Sequence, residues 1–200
     1  MSIVKLNNRS VKDVTAFGSI SSLGSLTHIA TQTASSSASL SFTSGIDSTY
    51  KEYIFYYVNM HRSTGTSFFQ FNMSVDGGSN YNVQKTTTHF YTYHNEGGGG
   101  DTSLNYVDGW DKANGTGSQR LSNGNASNDE STSGFLHLFN PSDTTFIKNF
   151  TARSISNNGT YLEDNYTAGY GNTTSAINAV KFEMSSGNID SGQILLFGLN

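Results

Sequence analysis

Between Lys51 and Met60 the chain reads KEYIFYYVNM, with apolar side chains on both faces of an extended strand. Tyr53, Phe55 and Tyr57 fall on one face, and Ile54, Tyr56, Val58 and Met60 on the other. A strand apolar on both sides belongs in the middle of a packed sheet. GQILLFGL at 192–199 has the same character and predicts a second central strand at the C-terminus. Two such strands, far apart in sequence, imply two layers to cover them.

The segments between them alternate more plainly. Residues 66–75 place Phe69, Phe71, Met73 and Val75 on one face and Gln70, Asn72 and Ser74 on the other. Asp76-Gly77-Gly78 then signals a tight hairpin, with 81–93 as the returning strand. Further strands are expected at 26–32, at 39–43 around Leu40 and Phe42, and at 134–139 before Asn140-Pro141. Others fall at 145–155, at 161–170 and at 179–184. TASSSAS at 33–39 reads as a flexible connection. Residues 94–133, rich in Gly, Asn and Asp, read as long surface loops, with short strands conceivable at 104–107 and 118–121. No segment carries a helical period with caps at both ends. The prediction is an all-β, two-sheet antiparallel β-sandwich of jelly-roll type over residues 25–200. Residues 1–24 precede it as an extended arm whose Val4, Leu6, Val11, Val14 and Phe17 dock on a neighbouring subunit.

Composition sharpens this picture in one respect. Only 13% of the 200 residues are charged, and Ser, Thr, Asn and Gly take their place. That suits a folded domain with a neutral exterior rich in hydroxyls and amides. A formal charge of −4 offers no footprint for nucleic acid. With no Cys, thiol chemistry and Cys-ligated zinc are excluded. No apolar run approaches the roughly 20 residues of a membrane span. The N-terminus lacks the apolar core of a signal peptide, so synthesis and folding in a cytoplasm are expected.

Reactive chemistry is hard to find. His28, His61, His89, His94 and His137 show no HxH, HxxxH or HExxH spacing, and a separation of five sets His89 and His94 on opposite strand faces. Asp108 and Asp111 flank Trp110, and Asp129 adjoins Glu130, but neither pair follows the ligand spacing of an EF-hand. Asp101, Asp129, Glu130, Glu163 and Asp164 read as solvated loop residues. GGGG at 97–100 lacks the Lys-Ser/Thr of a phosphate loop, and no GxSxG elbow occurs. The expectation is therefore no enzymatic activity, no metal and no cofactor. Trp110 stands out for binding: a Trp among Asp, Asn and Gly can stack on a sugar ring, with Tyr91, Tyr93 and Tyr106, and further Tyr161, Tyr166 and Tyr170, extending the surface. The opposing reading has Trp110 tucked beneath its own loop as a small core.

Four blocks, MSIVKLNNRSVKDVTAF, SASLSFTSGIDSTYKEYIFYYVNMH, SGFLHLFNPS and INAVKFEMSSGNIDSGQILLFGLN, resemble small virion structural proteins of marine tailed phages of the cyanophage and pelagiphage kind. The blocks span nearly the whole chain, with 94–133 as the variable part. The resemblance implies a virion surface protein: a capsid decoration or head-fibre subunit, or a tail fibre or appendage component. It would partner other capsid or tail proteins and copies of itself. The alternative expectation is a carbohydrate-binding module that recognises a host surface glycan through the loop aromatics around Trp110.

Overall fold

The computed structural model of the protein describes residues 26–123, 126–127 and 129–200. The arm and its Val4, Leu6, Val11, Val14 and Phe17 lie outside the described residues. Twelve strands form among the described residues, in chain order: β1 Thr27–Thr33, β2 Ser39–Phe42, β3 Glu52–Arg62, β4 Phe69–Ser74, β5 Lys85–Asn95 and β6 Thr102–Tyr106 come first. After a single 3-10 turn at Asp108–Trp110 follow β7 Gln119–Ser122, β8 Thr132–Phe139, β9 Lys148–Asn158, β10 Tyr161–Gly171, β11 Ala179–Met184 and β12 Ile189–Leu199. Eight make one sheet, in the order β1-β12-β3-β8-β9-β10-β5-β6, and four make the other, β2-β11-β4-β7. All pairings are antiparallel, and the chain passes from sheet to sheet at most connections. The result is the expected all-β sandwich, with unequal layers.

The core follows from side-chain alternation on facing strands. Tyr53, Phe55 and Tyr57 of β3 and Ile194 and Leu196 of β12 point inward from the large sheet and are fully buried. Phe69, Phe71 and Met73 of β4 and Val180 and Phe182 of β11 meet them from the small sheet, also fully buried. Close backbone approach is required at one place on β8. A Cβ on Gly134 would collide with the Arg153 carbonyl and the Tyr57 ring, so glycine there lets β9 and Tyr57 close over the strand.

Several expectations are corrected. The expected two layers form, and the two doubly apolar strands lie side by side in one of them: β3 and β12 pair with each other in the large sheet. Their second faces are covered by neighbours on the sheet's own outer surface, where Tyr56, Phe135, Phe197 and His28 pack edge-on. The Asp76-Gly77-Gly78 turn forms, with positive φ of 72° and 91° at its glycines, but it joins no hairpin. Strand β4 pairs with β11 and β7, whereas β5 pairs with β10 and β6 in the other sheet. The face of β4 expected to look outward is buried at Asn72 and Ser74, because Asn72 Nδ2 donates to the carbonyls of Tyr81 (2.7 Å) and Thr116 (3.0 Å). The TASSSAS connection is anchored: the N–H groups of Ala34, Ser36 and Ser37 donate to Gly192, Asp190 and Ile189. Within 94–133 the short strands conceived at 104–107 and 118–121 do form, as β6 and β7, with the 3-10 turn between them.

Candidate functional site

Away from the aromatic half of the sandwich, the inner rows of the large sheet turn polar. Strand β10 buries Glu163, Asn165 and Thr167, and β5 buries Lys85, Thr87 and His89. Opposite them, edge strand β7 contributes Gln119, Arg120, Leu121 and Ser122, all buried. Thr87 Oγ1 donates to Gln119 Oε1 at 2.8 Å, His89 Nδ1 meets Thr167 Oγ1 at 2.8 Å, and Ser122 meets Thr132 at 3.0 Å. Asn165 and His89 Nε2 adjoin without full hydrogen-bond geometry. Burial pushes His89 down to about 4, aided by Arg120, so its ring is neutral at physiological pH. His94 lies on the other face, exposed, as its spacing requires.

Four charges share this interior. Arg62 Nη2 donates to the Asn123 carbonyl at 3.2 Å and its Nη1 to that of Ser67. The Arg120 guanidinium is held between two rings, 3.4 Å from the centre of Phe68 and 3.2 Å from that of Trp110. Glu130 Oε1 accepts the Gly159 N–H at 2.8 Å, and Glu163 Oε1 accepts the amides of Asn123 and Asn158, each at 3.2 Å. None of the four makes a direct ion pair among the described residues. Their fields balance even so. Burial lowers Arg120 to about 9 while Glu163 pulls it back up, and burial lowers Arg62 to about 10 against Glu130 and Glu163. Both arginines therefore stay charged at neutral pH. The second oxygens of Glu130 and Glu163 have no partner among the described residues. This corrects the expectation that these two glutamates are solvated loop residues: they are 5% and 4% exposed.

Glu163 also reaches the surface layer, where it forms part of an open pocket with Tyr91, Tyr93, Asn158 and Tyr161. Tyr93 and Tyr161 meet edge-on at 5.4 Å, and their hydroxyls donate to the two oxygens of Asp101, each at 3.2 Å. Of the residues singled out from sequence, Trp110, Tyr91 and Tyr93 come together: Tyr91 stacks on Trp110 at 5.3 Å and 11° and adjoins Tyr93 at 6.2 Å. Trp110 is half-buried and engaged by Arg120, Tyr91 and His89. Tyr106 is not part of this group. It sits directly across from Phe90 on the outer face of the sheet and bonds Asp111. Arg62, Arg120, Glu163 and Asn158 gave no sequence signal beyond their type. Among the described residues, no group of three or more His, Asp or Glu is placed to hold a metal ion.

At the far end of the β5 row, Lys85 is fully buried and donates to Asn72 Oδ1 (2.6 Å) and the Val83 carbonyl (2.8 Å). Burial, with the Lys112 charge, lowers it to about 7. The unfolded chain then holds this proton up to about pH 10.4 while the folded chain releases it near 7, so stability rises with pH across that window. The account predicts a gain of about 2–3 kcal/mol between about pH 7 and 9, read by urea melts. Lys85→Met should lose most of that slope. An equal slope in the variant would assign the titration to another group. His89 does not interfere, because its window closes below about pH 6.5.

Comparison of the chain with protein-family models, with curated proteins and with solved structures finds no match.

Proposed function

We propose that this protein is a non-enzymatic structural protein on the surface of a tailed-phage particle, built by packing against copies of itself and other virion proteins. Capsid decoration, head fibre and tail appendage are all compatible positions. One observation carries the reading: the outer face of the eight-stranded sheet. Register places Val58, Ile155, Leu162, Phe90, Leu104 and Tyr106 on this face, and each is 38 to 68% exposed. Between them run the Tyr56, Phe135, Phe197 and His137 rings and the Phe90–Tyr166 stack at 4.9 Å. Exposed apolar side chains on five strands of one face, with the Arg153–Asp164 ion pair among them, make the mix of apolar and polar groups typical of subunit contacts. The resemblance of the four sequence blocks supports the same assignment, as does the neutral exterior. In this reading the apolar residues of the 1–24 segment anchor the chain to the particle, and assembly follows synthesis in the host cytoplasm.

The test replaces Leu104, Ile155 and Leu162 together by Lys in the phage genome. Their exposure keeps the expected change in folding stability within about 1 kcal/mol. The variant should be lost at least tenfold from gradient-purified particles, measured by quantitative mass spectrometry. Incorporation equal to the parent's, or absence of the parent chain from particles, would overturn the proposal.

A further inference from the structure

We propose that the pocket of Tyr91, Tyr93, Asn158, Tyr161 and Glu163 binds a single neutral sugar ring of a glycan, a function separate from particle assembly. Four features converge on that ligand. Glu163 is 4% exposed yet lines the pocket, and while its Oε1 accepts two amide protons, its Oε2 accepts none among the described residues. A buried carboxylate oxygen without a donor is satisfied by an incoming O–H. Three tyrosine rings supply flat apolar surface for the C–H face of a pyranose, while the sugar hydroxyls at its edge reach Glu163 and Asn158.

The walls are fixed before anything binds. Asp101 receives both the Tyr93 and Tyr161 hydroxyls, and Tyr91 is braced by Trp110. Such preorganisation reduces the ordering cost of binding. Trp110 thus supports the platform instead of forming it.

Size and charge narrow the class. The pocket holds about 230 Å³, below the roughly 300–1,000 Å³ of drug-sized sites, which fits one ring rather than a chain of them. Its wall presents the Glu163 carboxylate, and its rim the Asp101 carboxylate. The nearby cations are occupied behind it: Arg62 faces the Ser67 and Asn123 carbonyls, and Arg120 lies between Phe68 and Trp110. Uronic and sialic acids would meet like charge with no free counter-ion among the described residues, so neutral sugars are favoured over acidic ones.

The test uses the purified full chain on an array of neutral and acidic polysaccharides, with free neutral monosaccharides as competitors and protein-observed NMR as the second readout. Neutral glycans should bind, and the free monosaccharide matching the bound unit should compete, because the pocket takes one ring. Tyr161→Ala and Glu163→Gln should each weaken binding at least tenfold. Tyr161, at the rim, should do so with the melting temperature nearly unchanged, which separates loss of the site from loss of the fold. Binding of acidic glycans alone, no neutral glycan bound, failure of every monosaccharide to compete, or full affinity in Tyr161→Ala would each overturn the proposal.

Discussion

Phe182→Ala is expected to cost about 3–5 kcal/mol, a large part of the total stability of a domain of this kind. Phe182 is fully buried on β11 and is the ring around which the aromatic core closes. It packs on Phe55 at 5.4 Å, Phe69 at 5.8 Å, Phe71 at 6.3 Å, and Phe42 and Tyr57 at 6.4 Å. Those neighbours come from β2, β3 and β4, so one truncation opens a void bordered by both sheets. Rings this large cannot collapse into it without moving backbone, and interiors at crystal-like density have no slack to share. Urea denaturation with a fixed slope measures the loss. A cost below about 1.5 kcal/mol would mean that the two sheets are not joined through this cluster. Phe90→Ala is the contrasting control. Its ring is on the outer face and 38% exposed, so the isolated protein should lose about 1 kcal/mol or less.

Arg120→Ala carries the second large effect, again about 3–5 kcal/mol, for an electrostatic reason. The guanidinium is buried between Phe68 and Trp110 and helps to balance the buried Glu163. Removing it leaves that carboxylate in the interior with less opposing charge, and it empties the slot between two rings. Arg120→Lys should recover less than half of the loss, because an ammonium is not planar and does not fill the gap between stacked rings. The chain has one Trp, so intrinsic fluorescence reports this site directly. A red-shifted emission in Arg120→Ala, alongside the lowered denaturation midpoint, is the expected pair of results. A variant within about 1 kcal/mol of the parent would show that Glu163 is neutralised by other means.

The fold was legible where hydrophobic alternation and burial agree. Phe69, Phe71 and Met73 point inward as their spacing says, and Ala179–Met184 is a strand with the predicted bounds. Pairing was less legible, because a turn such as Asp76-Gly77-Gly78 reverses the chain without stating which sheet receives it. The site was hidden by an inversion on β10. There Leu162 and Tyr166, the apolar alternates, face outward, while Glu163, Asn165 and Thr167 face inward. Hydrophobicity alone would have turned that strand over. What holds it is polar contact from around it: Asn158 reaches Glu163 from the adjoining hairpin strand, and Asn123, His89 and Arg120 approach the row from elements distant in sequence. Outside, Tyr166 keeps Phe90 and Arg153 as neighbours, and Arg153 pairs with Asp164 at 2.7 Å. Trp110 stands out in sequence as the chain's one Trp, but its packing beside Tyr91 depends on Arg120, which no spacing in 94–133 connects to it.

The proposed role makes the sandwich a packed component of a phage particle, joined through the outer face of its large sheet. Cryo-electron microscopy of the intact particle tests this most directly. Density for the sandwich is expected on the particle exterior, with Phe90, Leu104, Tyr106, Ile155 and Leu162 covered by a neighbouring subunit. Density in which that face points to solvent, or particles that lack the sandwich, would contradict it.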